Sequence, residues 1–386
     1  MAVAGLNILV LNAGSSTVKA SLFQLTSPVT DVPTGRRWEV ETREPLQSLD
    51  AMLAGLWTGP AAILDGPDEV DVIGHRVVYG GATLVESVRL AADTRAEIAR
   101  VAEYAPAHNA AAIALIDAAR NLFGDRRPQV AVFDTTFHRT MPPAAFTYAG
   151  PYAWLAQGIR RYGFHGISHQ YASHRAARLL RREDAGFRVV TCHLGSGCSL
   201  AAVRDGLSVD TTMGFTPMDG LPMATRSGAI DPGILIHLLR HRGHTAESLD
   251  HMLNHDAGLA GLSGTNGDMR VVLAGVDAGD DRARLAFDVF VHHVRQGIAA
   301  MVTTMNGTDA VVFTGGIGAH SARVRTAVCA SLTCLGISLD VRHNAEPLDE
   351  SDISTAEAPT RVLVIPAQEN WMIARECVRM TESGAG

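Results

Sequence analysis

Two stretches of this chain are written in the same grammar. Residues 6–25 read as an apolar strand, a turn of Gly14-Ser15-Ser16 and a second strand. The pattern returns with Val189-Val190-Thr191-Cys192-His193-Leu194, the small residues Gly195-Ser196-Gly197-Cys198, and Ser199-Leu200-Ala201-Ala202-Val203, followed by an Asp205-Gly206 turn and Leu207-Ser208-Val209. The interval between the copies is far longer than a solenoid repeat. A chain of 386 residues has room for two cores. The reading is therefore two similar α/β halves facing a shared cleft.

The other segments fit this plan. Asp71–His75 and Val130–Asp134 are short apolar strands with polar ends, Asn109–Phe123 is an Ala-rich helix, and Asp231-Pro232 opens a helix with an N-cap acid and a first-turn proline. Ala310–Thr314 is a strand followed by Gly315-Gly316-Ile317-Gly318 and a helix from about Ser321. Arg361–Ile365 is the last strand, and a helix from about Asn370 ends the chain. Strands alternating with helices indicate α/β halves. The first domain is expected over 1–149 with the C-terminal helix 370–386, the second over 150–369. Residues 26–70 and 340–360, polar and rich in Pro and Gly, are expected on the surface.

Composition removes several classes. Hydrophobic residues make up 47% and charged residues 19%, a globular balance. A net charge of −7 argues against a nucleic-acid surface, and no 18-residue apolar run predicts a membrane span. Five cysteines without Cys-x-x-Cys suggest free thiols in a reducing compartment, and no leader pattern opens the sequence, so the cytoplasm is the expected location. The arginine-dense stretch Arg175–Arg182 reads as an exposed helix face. The pairs His237/His241 and His251/His255 have metal-helix spacing but lack a third positioned ligand, and read as exposed helical histidines.

Lys19 is the chain's only lysine. It follows the Gly14-Ser15-Ser16 turn, whose backbone N–H groups and hydroxyls can face an anion, and its compact charge suits a phosphate; a solvated lysine on a hairpin is the plainer alternative. Gly-x4-Gly-Lys-Ser/Thr is absent. Gly316-Ile317-Gly318 is a poor dinucleotide fingerprint but a reasonable loop for close approach of a base or ribose. Arg76 and Arg226 sit beside glycines, where a cation can reach a ligand. Asp134 and Glu369 follow apolar strands, where α/β sheets present functional acids.

Taken together, these segments resemble the acetate kinase family from Ile8 to about Arg375. The resemblance is carried by Asn12-Ala13-Gly14-Ser15-Ser16-Thr17-Val18-Lys19, His75-Arg76-Val77-Val78, Phe133–His138, Arg161-Tyr162-Gly163-Phe164-His165-Gly166, Gly195 with Gly197, Asp210–Pro217, Thr225-Arg226-Ser227-Gly228 and Phe313–Gly318. It implies two duplicated ribonuclease H-like domains of the actin, Hsp70 and sugar kinase type around a central interdomain cleft, ATP or ADP with Mg²⁺ (or Mn²⁺), and a homodimer. The implied reaction is reversible phosphoryl transfer from ATP to acetate. Ser196 stands where the family usually has Asn, Ala229 where it has Asp, Ala319-His320 where it has Glu-Asn, Tyr79 where it has His, and Ala107 where it commonly has Leu.

The resemblance also implies roles. Arg76 and Arg226 clamp the acid and the transferring group, His165 and His108 donate hydrogen bonds to the phosphoryl group, and Asp134 and Glu369 surround Mg²⁺ with Asn12 close by. Ser15, Thr17, Lys19, His193, Gly195, Ser196 and Gly197 line the phosphate path; Asp268, Arg270, Gly315, Gly316 and Gly318 lie near adenosine. Val78, Ala107, Phe164 and Pro217 line the acyl pocket with Arg76, and the small Ala107 implies a pocket wide enough for propionate. Two alternatives are a propionate or butyrate kinase on the same scaffold and an Hsp70-like nucleotide-switched binding protein. The arginine clamps and the lack of a separate peptide-binding domain argue against the second.

Overall fold

The structure is a computed structural model that describes residues 5–13, 17–26, 29–42, 49–104, 106–183 and 185–382, without the side chains of 103, 104 and 106–108. The chain forms two compact units, Met1–Arg139 with Gln368–Gly386, and Thr140–Ala367. The divisions fall at 139/140 and 367/368, against 149/150 and 369/370 in the sequence reading.

The first unit is built on a six-stranded sheet of β1 (Leu6–Ala13), β2 (Val18–Leu25), β3 (Arg36–Thr42), β4 (Val72–Val77), β5 (Val88–Arg89) and β6 (Gln129–Phe133), in the order β3-β2-β1-β4-β6-β5. β1 runs antiparallel to β2 and parallel to β4, and β4 runs parallel to β6. Ile8, Leu9, Val10 and Leu11 are all fully buried, because both faces of β1 are covered; such a strand reads as a continuous apolar run instead of an alternating one. Leu9 and Leu11 pack with Leu22, Leu53, Leu56, Ile73 and Leu115. Gly74 carries the helix Glu369–Glu382: a Cβ there would lie 2.6 Å from Ile373 Cγ2 and 2.8 Å from Cys377 Sγ. Trp371 of that helix is fully buried, its ring 6.0 Å from Phe23.

The second unit repeats the plan. Its strands are β7 (Arg188–Leu194), β8 (Cys198–Arg204), β9 (Leu207–Thr211), β10 (Ala310–Thr314), β11 (Ser351–Asp352) and β12 (Arg361–Val364), in the order β11-β12-β10-β7-β8-β9. Read from its other edge, the order matches that of the first unit strand for strand. So do the senses: β7 with β8 antiparallel, β7 with β10 and β10 with β12 parallel, and β11 with β12 antiparallel. The repeat read in the sequence is a duplicated topology. A block of helices separates β9 from β10, ending in the 24-residue helix Asp281–Thr304. Asp231 caps the helix Pro232–His241 by accepting from Gly233 N at 2.8 Å, and Pro232 occupies its first turn.

Four expectations need correction. Residues 26–70 are not merely surface: they supply β3 and the buried Leu49, Leu53, Leu56, Leu64 and Val70, apolar positions too scattered among Pro and Gly to show a period. Residues 340–360 hold the buried Asn344 and Ile353. Glu350 in that stretch receives Arg175 Nη2 at 2.5 Å and Tyr171 Oη at 2.6 Å, so Arg175 is buried and paired, not part of an exposed face. The fourth concerns Gly315–His320, which is already helical; the helix expected from about Ser321 is present as Ala322–Cys329, capped by Ser321. Arg325 of that helix is fully buried and donates to the carbonyls of Gly318 (2.9 Å), Ala319 (2.8 Å) and Asn344 (2.7 Å). Its burial draws its pKa down to about 10. No helix among the described residues is long and apolar enough to cross a membrane.

Candidate active site

In the first unit the parallel register sets Asn12 of β1 opposite Arg76 of β4, and Arg76 opposite Val132 of β6. Three strand ends thus present polar side chains together, where α/β sheets form sites. Arg76 Nη2 lies 2.5 Å from Asp134 Oδ2 and its Nε 3.2 Å and 3.1 Å from the two carboxylate oxygens, the forked geometry that arginine makes with a carboxylate. Arg76 Nη1 donates to Asn12 Oδ1 at 3.3 Å. Asn12 Nδ2 in turn donates to Asn370 Oδ1 at 2.9 Å, and Asn370 Nδ2 to Ser21 Oγ at 2.8 Å. Burial works to lower the Arg76 pKa, but the charges of Asp134 and Glu369 and the hydrogen bond to Asp134 raise it overall. Asp134 is fully buried.

In the second unit the turn Gly195-Ser196-Gly197 joins β7 to β8, closed by Gly195 N donating to Gly197 O at 3.0 Å. Other groups converge on it. A Cβ on Gly197 would lie 3.1 Å from His165 Nε2 and 3.8 Å from Arg226 Nη2; one on Gly195 would lie 3.8 Å from His193 Nε2 and 3.9 Å from Gly316 N. The His165 and His193 rings stack at 4.2 Å. His165 holds a left-handed backbone (φ 56°) as it opens the helix Gly166–Leu179, a conformation in which non-glycine residues are uncommon and which recurs at functional sites. Ala224 N donates to Ser196 O at 3.0 Å, and Arg226 Nη1 to Pro217 O at 2.8 Å. Arg161 Nη1 fastens the same region by donating to the carbonyls of Thr211, Thr212 and Met213. Burial pushes the Cys198 thiol up to about 12 in spite of the nearby Arg226 charge.

The structure therefore brings Asn12, Arg76 and Asp134 together in one unit, with Glu369 close enough to act on Arg76. In the other it gathers His165, His193, Gly195, Ser196, Gly197, Arg226, Pro217 and Gly316, with buried Phe164 next in sequence to His165. Val78 is buried two residues after Arg76. Gly315 and Gly318 serve packing: Gly315 has φ +75° and a Cβ there would strike the Leu194 backbone at 2.7 Å, while Gly318 lies against Cys192 O and Phe313. Asp268 and Arg270 bind each other, Nη2 to Oδ2 at 2.5 Å, at the start of the helix Met269–Asp277. Lys19 faces Glu41 across β2 and β3, 3.2 Å away and about as exposed as its partner. Thr17 is half-buried just before β2. Ser15 and the side chains of Ala107 and His108 lie outside the described residues. The rings of the paired histidines His237/His241 and His251/His255 lie 5.2 Å and 4.9 Å apart and tilted to one another, and no group of three metal-ligating side chains occurs among the described residues.

Sequence reasoning missed the residues behind these side chains: Asn370 and Ser21 behind Asn12, and Ser168, His169, Thr191 and Ser199 behind the two histidines. His169 carried the available signal, since it follows His165 by four residues on one helix face.

A doubled sheet of this order, with a small-residue turn after the first strand of the second copy and arginine and aspartate at the strand ends of the first, marks an α/β phosphotransferase of the actin and sugar kinase type. The family model described as the acetokinase family matches residues 7–375, and the chain belongs to that family. It is 45% identical to an acetate kinase of a Cyanothece species, over 98% of this chain and all of that one. Among solved structures, the acetate kinase of Porphyromonas gingivalis matches with TM-score 0.87 at 33% identity, covering 97% of this chain and 100% of its own. A propionate kinase from Francisella tularensis matches with TM-score 0.86 at 36% identity, covering 97% and 99%.

His75, next to Arg76 on β4, is buried with Nε2 2.7 Å from Gln129 Oε1, and burial holds its pKa down at about 4 against a hydrogen bond that raises it. A histidine with a depressed folded pKa stabilises the fold above its unfolded value of about 6.5, and that stability is lost as pH falls toward 4. The loss is on the order of 3 kcal/mol. Urea midpoints at pH 7.5 and 4.5 should therefore differ more for the wild type than for His75→Gln; equal pH slopes would show that His75 is not the titrating group.

Proposed function

We propose that this chain catalyses reversible transfer of the γ-phosphoryl group of ATP to acetate, giving acetyl phosphate and ADP. Family membership over nearly the whole chain supports the reaction. The observation that carries the site assignment is the convergence of His165, His193 and Arg226 on the Gly195-Ser196-Gly197 turn. A carboxylic acid of pKa roughly 4 to 5 is already an anion at neutral pH, so no general base is required. A carboxylate oxygen of acetate attacks the γ-phosphorus, the bond to the β,γ-bridging oxygen breaks, and its electron pair leaves on ADP. The chemical problem is to bring an anion against a polyanion, so positioning and donated positive charge carry the catalysis.

Each residue has a role suited to that problem. The Gly195-Ser196-Gly197 turn lets phosphate oxygens approach backbone, because glycine lacks the Cβ that would intervene. Arg226 and His165 donate to the group in transfer, His193 to the phosphates behind it, and Arg76 to the acid. Val78, Ala107, Phe164 and Pro217 are the apolar residues assigned to the methyl group, Gly316, Asp268 and Arg270 those assigned to adenosine, and His108, Ser15, Thr17 and Lys19 those assigned to the remaining phosphate contacts. Arg76, Asp134 and Glu369 place one positive and two negative charges near one another. Asp134 and Glu369, with Asn12, offer hard oxygen donors, which fits a magnesium ion held through one or two carboxylates and substrate phosphates. Bound there with ATP, magnesium would neutralise phosphate charge. Five free cysteines fit a cytoplasmic enzyme.

The test is an ATP-dependent hydroxamate assay across formate, acetate, propionate and butyrate. Acetate should lead with propionate second, and Ala107→Leu should depress propionate turnover more than acetate turnover, since one methylene is worth about 1–3 kcal/mol in an apolar pocket. A wild type that rejects propionate as strongly as the leucine variant removes the wide-pocket reading, and one without ATP-dependent product from any of the four acids removes the function.

Arg226→Ala should lower kcat at least ~10²-fold with the fold intact, and Arg226→Lys should recover little, because the fork is lost. Near-wild-type turnover in the alanine variant excludes Arg226 from the chemistry.

The helix Pro232–His241 buries none of its residues, and Ile234, Ile236 and Leu239 are 48%, 48% and 45% exposed, with Ile230 just ahead of it at 37%. A second copy of this chain is the proposed cover for that exposed apolar surface. Sedimentation should give a dimer for the wild type and a monomer for Ile234→Asp combined with Leu239→Asp; a wild type that is monomeric at micromolar concentration overturns the assignment.

A further inference from the structure

Behind His165 runs a chain of buried hydrogen bonds that the reaction as described does not use. His165 Nδ1 lies 2.8 Å from Ser199 Oγ, Ser199 Oγ 2.8 Å from His169 Nε2, and His169 Nδ1 2.7 Å from Thr191 Oγ1. Ser199, His169 and Thr191 are fully buried. They sit on three different elements, β8, the helix Gly166–Leu179 and β7, so the chain is built by tertiary packing and not by local sequence.

With neutral rings the chain can be oriented in two directions. In the first, the Thr191 hydroxyl donates to His169 Nδ1, His169 Nε2–H donates to Ser199 Oγ, and the Ser199 hydroxyl donates to His165 Nδ1. His165 then carries its proton on Nε2. In the second, every bond is reversed: His165 carries its proton on Nδ1, Nε2 is a bare acceptor, and the Thr191 hydroxyl accepts from His169. The two directions differ in cost at the Thr191 end. Among the described residues Thr191 Oγ1 has no second partner, so the reversed chain leaves its hydroxyl hydrogen buried and unbonded, and an orphaned buried donor is disfavoured. A charged His169, donating from both ring nitrogens, would orphan the same hydrogen.

His165 Nε2 is the atom nearest to a Cβ built on Gly197, at 3.1 Å. It therefore borders the turn where phosphate oxygens are proposed to bind. An Nε2–H there donates to a phosphate oxygen, whereas a bare nitrogen repels it. We propose that Thr191, His169 and Ser199 are positioning residues that fix His165 in the tautomer protonated on Nε2, so that it faces the phosphoryl group as a preset donor. The left-handed backbone of His165 serves the same end, since it holds the ring between Ser199 on one side and the turn on the other. The proposal rests on the acetate kinase reading only in assigning a phosphate to that turn; the direction of the chain is a property of the protein alone.

Long-range ¹H–¹⁵N correlation of the full chain labelled with [¹⁵N]histidine reads the tautomer directly, with the His165 signals assigned by their loss in His165→Gln. The wild type without nucleotide should show the proton on Nε2. Thr191→Val keeps the shape and removes the hydroxyl. It should give a mixture of tautomers and lower kcat about tenfold, with KM for acetate within about twofold of wild type, the scale of one hydrogen bond. Thr191→Ser should restore both. Should the valine variant not fold, Ser199→Ala cuts the chain next to His165 and should loosen the tautomer in the same way. A wild-type proton on Nδ1 overturns the proposal, and so does a Thr191→Val enzyme that loses turnover while His165 keeps its wild-type tautomer, since that loss would be structural. Full hydroxamate activity in His165→Gln would instead count against the role of His165 in the reaction and leave the measured tautomer standing.

Discussion

The parallel pairing of β1, β4 and β6 is the constraint on which the first unit's chemistry depends. Register puts Asn12 opposite Arg76 and Val77 opposite Phe133, so Asp134, the next residue, is delivered to Arg76 by the backbone before any side chain chooses a rotamer. Asp134 N donating to Val77 O at 3.0 Å extends the ladder by one step beyond the strand. A slip of one residue would exchange the two faces of β4 and turn Arg76 into the core. The continuous apolar burial of β1 and the close fit of Gly74 against Ile373 and Cys377 oppose such a slip. Core packing and site geometry are therefore one specification.

The same topology occurs in the second unit with a different cargo. β7, β10 and β12 are the parallel set, and His193 pairs with Thr314 as Asn12 pairs with Arg76. At these ends His193 and Thr314 stand where the first unit has Asn12 and Arg76, while small residues follow the first strand in both. Glycines admit backbone N–H groups to an anion, and imidazoles add donors without fixed charge; an arginine held by aspartate adds a directed cation. One scaffold, used twice, thus presents a turn flanked by imidazoles and Arg226 in one copy and an arginine held by aspartate in the other.

Legibility in the sequence followed the range of the interaction. The paired strand–turn–strand segments, the Asp231-Pro232 helix start and the glycine turn at Gly195-Ser196-Gly197 are local patterns, and each was readable because a few adjacent residues decide it. Arg76, Asp134 and Arg226 were readable because they flank glycines or strand ends. The burial of Leu53, Leu56 and Leu64 was not, since it depends on β1 and on the helix Pro106–Phe123 far along the chain. Arg175 looked like surface because seven residues of context hold several arginines, and nothing local points to Glu350. Arg325 was passed over for the same reason: its acceptors are the carbonyls of Gly318 and Ala319 and the amide of Asn344, and backbone carbonyls leave no trace in composition.

Several departures that the resemblance implies become intelligible once the backbone's part is seen. Ser196 is held through its carbonyl by Ala224 N, and Ala319 offers its carbonyl to Arg325, so neither contact needs the side chain that has changed. Ala229 N likewise donates to Gly220 O at 2.9 Å. At each of these positions the substitution alters what can face a ligand while leaving intact the hydrogen bond that shapes the loop. The residues that could not be exchanged so freely are those whose side chains bond to other side chains: Arg76 with Asp134, His165 with Ser199, His169 with Thr191. Removing one partner in such a pair leaves a buried polar group unsatisfied, which costs more than the bond itself contributes. Tolerance to substitution around this site should therefore follow the type of hydrogen bond, backbone or side chain, more closely than distance from the phosphate turn.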